Sequence, residues 1–275
     1  MSRLKMFLGA MVAIALMCNS CTDEEGSDQG PPLVVEAYLY VGHPFKVVVS
    51  NLVGVTEVDV DNFSITISNN EASFVLNPAG NGLYVSNDDI LVKEDAGDYT
   101  LHFMQDDVEV SSLSIVPSKP VSFTLSATEI EIEPREIGNG PIGGPGTIDD
   151  DIIGLNWSNA IKDFYFPYFE NIEENPELIN SNLDTTDGNR PRIFFRGEPT
   201  QESSSEIRPL QFQYYGRYNV ILFHVNADYA ALYKEQDNSS SLNLQPPFTN
   251  VVNGMGIFTA IHSDTVVLTV KKPAE

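Results

Sequence analysis

The sequence predicts an all-β protein built as two β-sandwich domains in series, with one short helix in the second. Three observations carry this. From Leu33 onward, apolar residues recur with a period of two, in short runs rich in Val, Ile, Phe and Tyr. Asn, Asp and Gly separate these runs at short intervals, the spacing of a sandwich or barrel and not of a βαβ unit. The chain has 275 residues, 42% of them hydrophobic and 10% aromatic, enough to bury a core in one large or two small domains.

Before the strands comes an address. Arg3 and Lys5 precede an unbroken small and apolar run, Met6 to Met17, the charged and hydrophobic regions of a secretory signal. Twelve residues of helix reach about 18 Å against the roughly 30 Å of a hydrocarbon slab, so this run is expected to be removed, not to span. The following Cys18-Asn-Ser-Cys21 resembles the lipobox of bacterial lipoproteins, with Cys21 the better acceptor because small Ser20 precedes it. The alternative is an ordinary cleaved signal with two idle cysteines. Residues 1–20 are thus expected to be a lipoprotein signal peptide and 21–32 an acidic tether ending in Gly30-Pro31-Pro32. The segment Asp23, Glu24 and Glu25 looks like the acidic export signal of surface lipoproteins in Bacteroidota; solvated tether residues are the plainer alternative.

The first domain is expected over residues 33–118. Its strands read as Leu33–Tyr40, Phe45–Val49, Phe63–Ile67, Ser73–Leu76, Leu83–Val85, Tyr99–Phe103 and Val108–Val110. Asp95-Ala-Gly-Asp-Tyr99-Thr-Leu101 resembles the tyrosine corner of immunoglobulin-like domains, which assigns Tyr99 to the scaffold. Pro117-Ser-Lys-Pro120 reads as the boundary, since two prolines stiffen a connector and keep the residues before them extended.

The second domain is expected over 119–275, with strands at Val121–Leu125, Ile152–Trp157, Phe164–Phe169, Arg192–Phe195, Leu210–Tyr215, Tyr218–Val225 and Thr265–Val270. Leu155-x-Trp157 followed by an aromatic strand resembles a fibronectin type III core, making Trp157 a core residue. Asn226 can cap a helix of about ten residues, in which Tyr229, Leu232 and Tyr233 share a face and Lys234 suits the last turn. So short a helix is stable only when docked. The two candidate ligand-facing aromatics are Tyr165 and Tyr168, on the strand Phe164–Phe169.

Several apparent sites fail on their physical requirements. Gly138-Asn-Gly140-Pro-Ile-Gly143 matches a dinucleotide fingerprint in letters, but Pro141 and Pro145 interrupt it and no helix opens from it, so residues 137–147 read as a flexible loop. Asp149–Asp151, Asp59 with Asp61, and Asp184-Thr-Thr-Asp187-Gly-Asn189 could offer calcium ligands. Aligning Gly188 with an EF-hand glycine, however, puts Leu183 at the first ligand position, and solvated turn acids are the default. His43, His102, His224 and His262 lie far apart without metal spacing, and no nucleophile elbow or metalloprotease helix is present. No catalytic residue, metal or cofactor is expected.

Charge narrows the partners. Thirty-nine acids against 15 bases give a net charge of -24 and a pI near 4.3, which repels nucleic acid and anionic lipid headgroups. Cleavage before Cys21 would remove Arg3, Lys5 and Cys18, leaving 13 bases and no second thiol.

The lipobox, the opening strand Leu33-Val-Val-Glu-Ala-Tyr-Leu39, Ala96-Gly-Asp-Tyr-Thr-Leu101, the helix with Tyr229 and Tyr233, and Asn253-Gly-Met-Gly-Ile-Phe258 together resemble a Bacteroidota lipoprotein family known as domain of unknown function 4249. The chain departs from the family pattern in its long 137–147 loop and in the polar run from Arg196 to Glu206. The resemblance implies an outer-membrane, lipid-anchored, surface-exposed binding protein, without enzymatic activity, accessory to a TonB-dependent transporter. A surface adhesion or structural lipoprotein is the alternative, and a hydrolase ranks third. Asp184-Thr-Thr186 and Asp264-Thr-Val266 look like short Bacteroidota O-glycosylation sites.

Overall fold

The computed structural model describes residues 33–52, 54, 57–134, 152–180, 192–237 and 248–274. Cys21, Asp23, Glu24, Glu25, the 137–147 loop and the acidic stretches Asp149–Asp151 and Asp184–Asn189 lie outside the described residues. Among those that are described, no helix is long and apolar enough to cross a membrane.

Among the described residues, sixteen strands form three sheets. The first half of the chain supplies β1 (Leu33–Tyr40), β2 (Lys46–Asn51), β3 (Thr66–Ser68), β4 (Ser73–Val75), β5 (Asn77–Gly80), β6 (Leu83–Val85), β7 (Asp98–Gln105) and β8 (Val108–Ile115). The second supplies β9 (Val121–Leu125), β10 (Glu129–Glu131), β11 (Ile153–Ser158), β12 (Phe164–Asn171), β13 (Phe194–Arg196), β14 (Ser204–Ile207), β15 (Gly216–Val225) and β16 (Met255–Lys271). The α-helix α1 (Ala227–Asp237) follows β15.

The all-β sandwich architecture expected from the sequence is present, but the two sandwiches are not independent beads. One nine-stranded sheet, in the order β13-β12-β15-β16-β1-β2-β6-β5 with β10 also on β16, runs through both. Its β1 side is covered by the sheet β4-β3-β7-β8, and its β15 side by β14-β11-β9. The joint is β16, whose N-terminal half pairs in parallel with β1 and whose C-terminal half pairs antiparallel with β15. The boundary between 33–118 and 119–275 therefore fails for the last strand: Phe258 and Ala260, with Val251 just before the strand, belong to the first core, Leu268 and Val270 to the second.

Period-two patterning explains both cores. Along β1, Leu33, Val35, Ala37 and Leu39 are fully buried while the residues between them face outward. Each buried branched side chain contributes about 1.5–3 kcal/mol. Tyr99 is fully buried, and its hydroxyl accepts a 3.0 Å hydrogen bond from the Lys93 backbone, as a tyrosine corner requires. Trp157 is a core residue, packed on Tyr165.

Other expectations need correction. Leu210–Tyr215 is not a strand. Pro209 opens a 3-10 turn over Pro209–Gln211, and Phe212, Tyr214 and Tyr215 are buried, with an isolated bridge from Leu178 to Tyr214 and backbone hydrogen bonds from Ile179 to the Gln213 carbonyl and from Tyr215 to the Glu177 carbonyl. The last strand begins well before Thr265: a turn at Asn253 and Gly254 leads directly into β16 at Met255. Gly256 has φ +100°, and a Cβ there would collide with the Val35 carbonyl oxygen, so glycine lets β16 lie against β1. Asn226 stands at the helix start, its carbonyl accepting from Ala230, but its side-chain amide does not cap. It donates to Ser114 Oγ at 3.0 Å and the Ile115 carbonyl at 2.8 Å, tying the helix to β8.

Candidate binding cleft

The shared sheet has a second, outward face, and its alternation decides what lies there. On β1 the outward positions are Val34, Glu36, Tyr38 and Tyr40; on β15 they include Ile221 and Phe223; on β12, Phe164, Phe166 and Tyr168. Pairing carries the row across, with Phe166 opposite Phe223, Phe223 opposite Ser263, and Tyr40 opposite Ile261. Helix α1 lies over one end of this face, contributing Tyr229, Leu232 and Tyr233.

The rings form one connected cluster. Tyr229 stacks on Phe166 at 5.4 Å with an interplanar angle of 6° and meets Tyr38 edge-on at 6.1 Å. Phe166 stacks on Phe223 at 5.0 Å, and Phe223 makes edge contacts with Tyr40 and Tyr168 at 6.1 Å. Tyr168 in turn stacks on Phe194 at 5.7 Å. Such contacts add about 0.5–1.5 kcal/mol each beyond burial and fix ring orientation.

Two cavities open on this cluster and share Tyr38 and Tyr40. One, of about 300 Å³, is walled by Tyr38, Tyr40, Arg196, Tyr229, Leu232 and Tyr233. The other, of about 600 Å³, continues along β1 and β2 past Glu36, His43, Lys46, Val48, Phe223 and Thr265. Arg196 lies with its guanidinium 4.9 Å from the Tyr233 ring centroid, and Lys234 sits 5.7 Å from that of Phe164. Tyr38 is pushed up to about 12 by burial first, then by Glu36, Tyr229 and Tyr40, with Arg196 opposing. Burial likewise raises Tyr40, Tyr168 and Tyr229. These phenols are therefore protonated hydroxyl groups at neutral pH, able to donate as well as accept.

The two expected ligand-facing aromatics part company. Tyr168 is half-buried on the outward face, beside the cleft. Tyr165 is not ligand-facing. Strand alternation turns it into the second core, where it stacks on His224 at 4.3 Å. Tyr38, Tyr40 and Arg196 escaped the sequence reading as site residues. The available signal was two tyrosines at successive outward positions of β1, where an acidic protein would otherwise present polar groups.

Folding brings two of the four histidines together, at the seam between the sandwiches. His224 and His262 are directly opposite across β15 and β16, both buried. His224 Nδ1 lies 2.7 Å from the Ser118 carbonyl, and its Nε2 lies 3.0 Å from Asp163. His262 Nδ1 faces the Pro117 carbonyl at 3.2 Å, with Glu94 at 3.7 Å from its Nε2, while Lys119 pairs with Asp264 at 3.2 Å. The linker 117–120 is thus clasped to the underside of the shared sheet. His102 is exposed, 3.7 Å from Glu109, and His43 is an exposed neighbour of Tyr40. Asp59 and Asp61 hold a turn: Asp59 accepts from the Asp61 backbone at 3.1 Å, and Asp61 from the Gly82 backbone at 2.6 Å. Among the described residues no three His, Cys, Asp or Glu side chains gather as metal ligands.

No protein-family model matches the sequence, and comparison with curated proteins finds no match either. Among solved structures, the chain is similar to the first three fibronectin type III domains of chicken CNTN1, at 10% identity over 88% of this chain and 68% of that one, with a TM-score of 0.28. It is also similar to a three-domain segment of titin, at 10% identity over 87% and 67% of the two chains, with a TM-score of 0.22.

Proposed function

We infer that the protein is a non-catalytic binding lipoprotein, anchored through Cys21 to the bacterial outer membrane and exposed on the cell surface. It presents the aromatic cleft to an extracellular partner or ligand, as an accessory to a TonB-dependent transporter. The observation that carries the binding reading is the cleft itself. Tyr and Arg are the residue types that dominate recognition surfaces, and here they converge on adjoining cavities of ligand size. The anchor rests on the signal sequence and Cys21, and the transporter link on the resemblance to domain of unknown function 4249. The non-catalytic reading is supported by the seam, where His224 uses both ring nitrogens to hold structure.

The test is a mild-detergent pull-down at native expression, with wild type, Tyr40→Ala and Arg196→Ala. Recovery of an outer-membrane barrel by wild type and its loss in the cleft variants is expected. Recovery of no barrel overturns the transporter link and leaves the adhesion alternative. Protease shaving of intact cells checks exposure, and normal anchoring of a Cys21→Ala variant would refute the lipid attachment.

A further inference from the structure

Charge sets this cleft apart from the rest of the molecule. The chain carries 39 acids against 15 bases, and its described cations are in several cases spent on carboxylates: Lys93 on Glu71, Lys119 on Asp264, Arg217 on Glu173, Lys271 on Glu129. Arg196 and Lys46, which wall the two cavities, have no carboxylate within ion-pair distance among the described residues. Arg196 instead lies over Tyr233 and beside the Tyr229 hydroxyl, which places its charge in the wall of the cleft. Among the described residues, Glu36 is the one carboxylate in the cavity walls. A concave surface with two unpaired cations and one acid, in a protein of charge -24, is complementary to an anion.

The uncharged groups narrow the anion. The cleft lies on the face of a sheet whose strands are already paired on both sides at β1, β15 and β16, so it offers no free ladder edge to hold an extended peptide backbone. Besides Arg196, Lys46, Glu36 and His43, its polar side chains carry hydroxyls, those of Tyr38, Tyr40, Tyr229, Tyr233, Ser263 and Thr265. Its apolar surface combines aromatic rings with the aliphatic side chains of Val41, Val48, Ile221, Leu232 and Ile261. Hydroxyls between ring faces suit a ligand whose own rings have apolar C–H faces and a hydroxyl fringe. Two cavities joined at Tyr38 and Tyr40 suit a ligand of more than one such ring.

We propose that the cleft binds an acidic oligosaccharide, its sugar rings lying on Tyr38, Tyr40 and Tyr233 and a uronate carboxylate accepting from Arg196. Lys46 serves a second carboxylate further along the chain of sugars. The proposal rests on the reading of the cleft as the recognition surface, and adds the chemical class of what it takes.

The test uses the purified full-length lipoprotein in detergent and calorimetric titration with four probes: a short oligogalacturonate, its fully methyl-esterified form, a neutral oligoglucan of equal length, and an oligoglutamate with the same number of carboxylates. A charge-assisted guanidinium contact predicts that the acid binds at least about tenfold tighter than its ester. Arg196→Ala should erase that preference, Arg196→Lys restore part of it, and Lys272→Ala, which removes an exposed charge elsewhere, leave it intact. Equal binding of acid and ester overturns the role given to Arg196. Tighter binding of oligoglutamate than of oligogalacturonate overturns the sugar and points to an acidic protein partner. Binding of none of the four at millimolar concentration overturns the proposal outright. The cleft as recognition surface falls separately, if Tyr40→Ala and Arg196→Ala leave the pull-down unchanged.

Discussion

Replacing His224 by Phe tests whether the seam holds the two sandwiches together. Phe keeps the ring, and so the 4.3 Å stack on Tyr165, while removing both polar contacts. Each ring nitrogen of His224 has an oxygen within hydrogen-bond distance, the Ser118 carbonyl at Nδ1 and the Asp163 carboxylate at Nε2. In the variant the Ser118 carbonyl loses its 2.7 Å donor against a side chain that is 4% exposed, a loss of about 1–3 kcal/mol. The Asp163 carboxylate is 39% exposed and can recover water, so its share is discounted to about 1 kcal/mol or less. The sum is about 1–4 kcal/mol, which for a chain of this size lowers Tm by about 2–16 °C. Urea denaturation followed by circular dichroism measures it. His224→Gln, which keeps one donor, should lie between. A loss below about 0.5 kcal/mol for His224→Phe, the range of ordinary surface changes, would refute the claim that the clasp is a structural joint.

Three further outcomes follow from the same geometry. Gly256→Ala places a Cβ against the Val35 carbonyl and forces an alanine to φ +100°, so it should destabilise by at least about 2 kcal/mol in the same unfolding assay; a neutral result would show that the β1–β16 approach is looser than described. Tyr165→Ala should cost about 3–5 kcal/mol as a core truncation, whereas Tyr168→Ala should cost clearly less stability and weaken binding in the cleft; the reverse pattern in paired unfolding and titration measurements would overturn the assignment of faces. Tyr38, raised from 10.0 to about 12, favours the folded state while it is protonated. Its contribution is fully present below pH 10 and is lost as pH rises through about 12, so the stability gap between wild type and Tyr38→Phe should hold to pH 10 and shrink above it. A gap independent of pH across that window would contradict the assignment.

What could be read in advance follows from what each feature depends on. Strand identity depends on local alternation, so β1, β2, β11, β12 and β15 are legible from their own residues. The tyrosine corner is legible too, because Tyr99 and Lys93 are neighbours in the chain. The shared sheet is not legible, since parallel pairing of β1 with a strand more than two hundred residues away leaves no local mark except Gly254 and Gly256, which resemble turn residues. β14 is polar, Ser204-Ser-Glu-Ile207, and is a strand because β11 supplies its ladder. Leu210–Tyr215 shows the converse: Phe212, Tyr214 and Tyr215 are buried, but Pro209 opens a 3-10 turn and the pairing of Tyr214 with Leu178 stays an isolated bridge. The cleft was half legible. Tyr229, Leu232 and Tyr233 fall together by helical period, but their convergence with Tyr38, Tyr40 and Arg196 needs β16 to bring β1 beside β15.

That dependence ties stability to recognition through a single strand. Along its inward face β16 presents Phe258 and Ala260 to the first core, His262 and Asp264 to the linker, then Val266, Leu268 and Val270 to the second core. Had the middle pair been apolar, the two cores could have merged, but the carbonyl of Pro117 and the ammonium of Lys119 would then lack partners. The polar interruption instead pins the linker beneath the sheet and fixes β1 beside β15. On the outward face the same strand sets Ile261, Ser263 and Thr265 between the tyrosines of β1 and the aromatic residues of β15 and β12. The cleft therefore exists only while both halves of β16 are paired. A change that frees either half should lose binding before the chain unfolds globally, because the walls of the cleft come from opposite sides of the seam.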